Sequence, residues 1–279
     1  MEPLSLVLLL VMGVLAGMIN AAVGSGSLLT LPVLLAVGIP PGTAVRTNTV
    51  GMVASTIGSV LGFRSEIARE RGQLGPIVAV STLCAITGSL LLLVASADAL
   101  QLVVPILILF ALVMVLLQPR LTRWLGTRSS RSSGGTDAGS VEGETGSEDD
   151  AAPARRHPLR SPVVLVPMGA ASVYGGFFTA AQGILYMGIL SVGTGRSLKQ
   201  VNPVKNLLSL VVNVCAALVY VLAHVITGAP IQWWAALAIA IGSLIGGFSG
   251  AHVAKRLPDG VLRAVIVVVA LVALARQFI

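Results

Sequence analysis

Apolar stretches separated by short polar ones run the length of the chain, over residues 4–23, 27–38, 43–63, 73–95, 100–118, 161–178, 183–193, 200–226, 232–253 and 260–278. A hydrophobic run of about 18 residues with few charges predicts a membrane-spanning helix. A transmembrane β-barrel would need strict apolar/polar alternation, and stretches such as Val103 to Leu117 do not alternate. The pattern therefore predicts an all-α, polytopic membrane protein. Two of the apolar runs, 27–38 and 183–193, are short, and each either spans or re-enters.

Composition agrees. Of the 279 residues, 55% are hydrophobic and 10% charged, against roughly 25% charged in a soluble globular chain. The mean hydropathy is +0.93. Thirteen of the 29 charged residues fall between Arg120 and Arg160, so the apolar segments are nearly bare. The first segment follows Glu2 and Pro3, with no basic n-region, and reads as a retained helix instead of a cleaved signal. The net charge of +7 is loop charge, explained by positive loops on one side of a membrane and not by nucleic-acid binding. Cys84 and Cys215 lie mid-run without metal-ligand spacing and read as inert packing residues.

The stretch 119–160 is rich in Ser, Gly, Asp, Glu and Arg, and has almost no large apolar residue after Trp124. It cannot bury enough surface to offset its ordering entropy, which predicts a flexible polar cytoplasmic linker. It divides an N-terminal membrane repeat, 1–118, from a C-terminal one, 161–279. Each half opens with a helix leading into a Gly/Ser/Thr-rich break: Asn20-Ala-Ala-Val-Gly24-Ser25-Gly26-Ser27 in one, Gly175-Gly-Phe-Phe-Thr179-Ala-Ala-Gln182-Gly183 in the other. Each break precedes a short apolar run ending at Gly38 or Gly193, and then a long helix headed by a polar cluster. These clusters are Arg46-Thr47-Asn48-Thr49 and Asn202-Pro-Val-Lys205-Asn206. With Gly26 laid on Gly183, Asn48 falls on Lys205 and Phe63 on Tyr220.

Loop charge assigns the sides. Arg64, Arg69 and Arg71 form one basic loop, the linker ends a second, Arg196 with Lys199 a third and Lys255 with Arg256 a fourth. The loops near 39–43, 96–99 and 227–231 carry no basic residue. Placing every basic loop in the cytoplasm requires each half to cross an odd number of times, which inverts one half relative to the other. The expected fold is thus two homologous halves as inverted repeats, with about 8–10 transmembrane or re-entrant segments and a broken helix in each half.

No carboxylate lies inside an apolar run: Glu2, Glu66, Glu70, Asp98, the linker acids and Asp259 are all at edges or in loops. Cation transporters and carboxylate proton relays depend on intramembrane Asp or Glu, so the segments favour an anion. Arg46 and Lys205 could supply positive charge, although Arg46 is near enough to its helix start to snorkel to the interface. A helix break leaves free backbone N–H groups at the start of the next half-helix, and those donors hold oxyanions. The candidate binding set is therefore Gly24, Ser25, Gly26 and Ser27 at one break and Thr179, Gln182 and Gly183 at the other. Asn20, Arg46, Thr47, Asn48, Lys205 and Asn206 complete it. No catalytic residue, metal ligand or cofactor site is expected. Gly242, Gly246 and Gly250, like Gly51, Ser55 and Ser59, recur every four residues and read as close-packing faces. His224 and His252 lie near segment ends, and Trp233 with Trp234 reads as an interfacial anchor.

The break leading through Pro32 to Gly38, Pro40 and Ala44-Val-Arg-Thr47 resembles the first signature of the TauE/SafE family of membrane permeases. Tyr174-Gly-Gly-Phe-Phe through Val204-Lys205-Asn206 resembles its counterpart. The likeness covers nearly the whole chain apart from the linker. The family's breaks are often richer in glycine, where this chain has Ser25, Ser27 and Thr179. The resemblance implies a plasma-membrane, multi-pass transporter of sulfite or an organosulfonate, with another sulfur-containing or oxyanion substrate as the alternative. Its partners would be the small anion and the lipid bilayer, with a homo-oligomer left open. An intramembrane lipid-phosphate enzyme is the weaker reading, since it needs a base and a metal-holding group that the apolar runs lack. The segments also carry no ATP-binding motif.

Overall fold

The computed structural model of the chain describes residues 2–133 and 158–253. The fourth basic pair, Asp259, the acidic middle of the linker and the apolar segment 260–278 lie outside the described residues. The order is α1 (Pro3–Ala22), α2 (Ser27–Ala36), α3 (Pro41–Gly62), α4 (Arg64–Glu70), α5 (Gly75–Val94) and α6 (Ala97–Ser133). Then come α7 (Pro162–Phe178), α8 (Gln182–Thr194), α9 (Leu198–Thr227) and α10 (Trp233–Val253). Two 3₁₀ turns, Arg71–Gln73 and Pro158–Arg160, lead into α5 and α7, and no strand occurs among the described residues.

The helix limits express local chemistry. Prolines open α1, α3, α5 and α7, where a missing N–H costs nothing. Gly195 and Gly228, at positive φ, close α8 and α9. Ser197 and Gln200 form a capping box at the start of α9. The helix α6 continues past its apolar run to Ser133, so the first part of the 119–160 stretch is helical. Its sequence there includes Arg, Leu and Trp, and no glycine or proline beyond Pro119 and Gly126.

Among the described residues, five helices are long and apolar enough to cross a membrane: α1, α5, α6 over Ala97–Leu117, α9, and α10 over Trp233–Gly250. Large apolar side chains on them face outward, among them Leu4, Leu83, Leu102, Leu218, Leu237 and Phe248, as expected where the surrounding solvent is lipid. The 22-residue α3 is not in that set, because it carries Thr43, Arg46, Thr47, Asn48, Thr49, Ser55, Thr56 and Ser59, all buried. The polar helix is enclosed by apolar ones.

Small residues bring the helices together. The glycine ladder of α10 faces α1: Gly242 lies against Leu10, Gly246 against Val14 and Gly250 against Met18, so the two helices run parallel. On its other side α10 meets α3, with Gly247 against Ser55, Gly51 against Ile239, and Ser243 Oγ donating to the Gly51 carbonyl at 3.3 Å. In the same way Gly169 of α7 lies beside Val80 and Cys84 of α5, and Gly88 of α5 lies beside Val173 and Phe177. A Cβ at Gly88, Gly242 or Gly246 would strike neighbouring backbone, so these interfaces depend on its absence.

The loops gather at two ends. At one, Arg46 Nε donates to the Pro230 carbonyl at 3.1 Å and Gly42 packs on Leu100, joining the three turns that carry no basic residue. At the other, Arg196 pairs with Glu70 at 2.8 Å and Arg160 Nη2 donates to the Gly72 carbonyl at 2.9 Å. Trp233 and Trp234 are exposed at the head of α10, where Trp233 Nε1 donates to His224 Nε2 at 3.3 Å.

Candidate functional site

The two interruptions meet in the interior. After α1 the chain turns at Gly24, whose φ of +84° suits glycine. It folds back so that Gly26 packs on Ala16 and Asn20. After α7 the turn is made by Thr179 and Ala181, at φ 57° and 59°, a region that residues with a Cβ rarely adopt. Tyr174 Oη donates to the Ala180 carbonyl at 2.9 Å and Tyr220 Oη to the Gly176 carbonyl at 2.6 Å, which hold that turn in place. The turns touch through backbone: Gly183 N donates to the Gly24 carbonyl at 3.2 Å, and a Cβ on Gly24 would sit 2.5 Å from Gly183 Cα. The N-termini of α2 and α8 therefore start from one place, with the Gly183 N–H of α8 taken up by the Gly24 carbonyl.

Lys205 lies on α9 beside this contact and is wholly buried. Its Nζ donates to the Asn20 carbonyl at 3.1 Å and to Asn206 Oδ1 at 2.9 Å. Asn206 Nδ2 donates to the Ala21 carbonyl at 3.4 Å, and Asn20 Nδ2 to Ser55 Oγ at 3.2 Å. The ammonium thus sits at the C-terminal carbonyls of α1, where helix polarity favours a cation. Its two acceptors are uncharged, and it has three N–H donors.

At the matching place in the other half, Asn48 accepts from Thr30 Oγ1, and its Nδ2 lies 3.5 Å from Thr179 Oγ1. So α9 reaches the end of α1, and α3 reaches the end of α7. Buried polar atoms without a partner mark the same region: Ser25 Oγ beside one turn and Gln182 Oε1 beside the other. Gln182 Nε2 is engaged with Asn213 Oδ1 at 3.0 Å, so this side chain presents its carbonyl oxygen and not the amide donor that the sequence suggests.

Of the expected set, Asn20, Gly24, Ser25, Gly26, Ser27, Asn48, Thr179, Gln182, Gly183, Lys205 and Asn206 come together around the two turns. Arg46 and Thr47 do not join them. Arg46 bonds Thr43 Oγ1 and the Pro230 carbonyl, and Thr47 Oγ1 accepts from Gln232 N at 3.0 Å. Both tie the head of α3 to the turn before α10. Their position one turn into the helix aims them at its end, and the Arg46 partner lies 184 residues away in sequence.

The structure adds Thr30, Ser55 and Asn213 to the polar neighbourhood. Asn213 interrupts the apolar run of α9, a signal available in the sequence. Ser55, whose four-residue spacing marks a packing face, both packs and bonds Asn20.

A family profile described as "Sulfite exporter TauE/SafE" matches residues 9–276. The chain belongs to the TauE/SafE family. Among relatives, it is 26% identical over 277 residues to "Probable membrane transporter protein YfcA" of Escherichia coli K12, covering 99% of this chain and 90% of that protein. The proteins of that name in Escherichia coli O6:H1 and O157:H7 match to the same extent. No solved structure matches. Membership in TauE/SafE, with five candidate spans, makes this a multi-pass membrane protein of a transporter family, and both printed names describe transport instead of catalysis.

Proposed function

We propose that the protein is a secondary transporter of a small anion, bound where the two helix turns meet and moved across the plasma membrane by alternating access. The observation carrying this reading is Lys205: a fully buried amino group near the Gly24–Gly183 contact, whose acceptors are both uncharged. Leaving its charged form uncompensated in a low-dielectric interior costs several kcal/mol. A bound anion would supply the missing charge.

Each residue then has a role. Lys205 provides charge. The starts of α2 and α8 provide backbone donors and the positive ends of two helices, and the Ser25 and Ser27 hydroxyls add donors beside them. Asn20, Asn48 and Asn206 hold the frame. Binding must stay modest, since an anion held tightly would not leave. Sulfite is the substrate that the family's description names, and an organosulfonate carries the same kind of oxyanion head. Another sulfur-containing or oxyanion substrate is the alternative.

The movement we propose is a rocking of two inverted halves, 1–118 and 161–279, joined by the polar stretch 119–160. Three features support it. The α1–α10 and α7–α5 pairs occupy equivalent places when Gly26 is laid on Gly183, and so do the α3–α10 and α9–α5 pairs. Asn48 and Lys205 make reciprocal contacts. The basic turns collect at one end, which favours that end as the cytoplasmic one and an inverted relation between the halves.

Flux of labelled sulfite into proteoliposomes tests the function. Saturable uptake that sulfonates inhibit is expected. Uptake of a different oxyanion with no sulfite flux would replace the substrate, and no anion flux at all would overturn the proposal.

A further inference from the structure

We infer that Glu70 and Arg196 form a latch that closes the cytoplasmic path to the anion site, with Arg46 and the Pro230 carbonyl as its counterpart at the opposite end. The inference rests on the alternating-access reading and adds the residues that gate it. Arg196 Nη1 lies 2.8 Å from both Glu70 carboxylate oxygens. This ion pair joins the two halves: Glu70 ends α4, directly after α3, and Arg196 lies in the turn between α8 and α9. That turn is held rigid behind the guanidinium, since Ser191 Oγ donates to the Arg196 carbonyl at 2.7 Å and the capping box at Ser197 comes next. The candidate site begins about two turns further along α9, at Lys205.

The outer contact repeats the plan. Arg46 lies just past the α2–α3 turn, and Pro230 lies just past α9. In both cases the junction of the second and third helices of one half is tied to the segment beyond the third helix of the other. Neither half can swing away from the other at either end without releasing its tie. With both ties made, the anion site is shut from both sides, in keeping with the complete burial of Lys205.

The two ties differ in how easily they release. The Arg196 and Glu70 side chains are 30% and 21% exposed, so each ion regains water as soon as they part. Arg46 is 9% exposed and holds a backbone carbonyl, so its release uncovers a buried cation. The Glu70–Arg196 latch is therefore the readier of the two to open.

The test needs no substrate. In a Cys84→Ala/Cys215→Ala background, Asn202→Cys, at a half-buried position on the first turns of α9, is labelled in inside-out vesicles with a membrane-impermeant maleimide. Glu70→Gln or Arg196→Gln raises the labelling rate about threefold, the scale of a partly exposed ion pair. The exchanged pair Glu70→Arg/Arg196→Glu returns it to near the parent rate. Raising the salt to about 1 M accelerates labelling of the parent and leaves Glu70→Gln unchanged. Equal rates in parent and both single variants, or no restoration in the exchanged pair, would overturn the latch. Failure of sulfite flux alone would count against the transport reading and leave this result standing.

Discussion

The two halves put different chemistry at matching points. Where α3 carries Asn48, bonded to Thr30 and close to Thr179, α9 carries Lys205, bonded to the end of α1. One turn is made with a glycine at positive φ, the other with Thr179 and Ala181 held by two tyrosine hydroxyls. The duplication proposed above would account for the common geometry. The halves differ there in charge: one carries a lysine and the other a neutral amide.

The sharpest way to break this comparison is to remove each member in turn. Lys205→Ala is expected to lower anion flux by about 100-fold or more, as losing a buried charged hydrogen-bond partner costs roughly 3 kcal/mol or above. Asn48→Ala, at the equivalent place, is expected to lower it by less than about 20-fold, because a neutral interhelical bond contributes about 0.6–1.7 kcal/mol. Equal losses in flux assays would mean that the halves share the work and that Lys205 is not special.

Gly24→Ala addresses the contact itself. Its Cβ would lie 2.5 Å from Gly183 Cα at a φ of +84°, so a loss of about 2–4 kcal/mol is expected in a denaturation series in detergent. Gly38→Ala, also at +84° but with nothing within 4 Å, should lose only about 1 kcal/mol. That pair separates close approach from backbone conformation. The smallest effect is expected for deletion of residues 136–150, which should leave flux and stability within about 0.5 kcal/mol of the parent if that stretch is a linker with no core.

Much of this arrangement is legible in the sequence. The apolar runs, the two Gly/Ser/Thr breaks and the four-residue glycine spacing each express a local physical requirement, so they can be read without a partner. The parallel packing of α1 on α10 is not legible, although Gly242, Gly246 and Gly250 announce a close face. Spacing names a face and not the surface it meets. Arg46 teaches the same lesson at the site. Its place near a helix start and beside Asn48 suggests a binding role, and the structure adds a bond to the Pro230 carbonyl, remote in sequence, that the sequence does not announce. Thr179 and Ala181 are the opposite case. A polar break is evident there, but left-handed backbone at residues with a Cβ depends on Tyr174 and Tyr220, which no local pattern connects to them.

The central claim is that the meeting of the two turns beside Lys205 binds an anion. Equilibrium binding of labelled sulfite to the purified protein in detergent, compared between the parent and Lys205→Ala, tests it most directly. Saturable binding is expected in the parent, displaced by sulfonates and weakened about 100-fold or more in the variant. Binding of the same strength in a folded Lys205→Ala protein would contradict it.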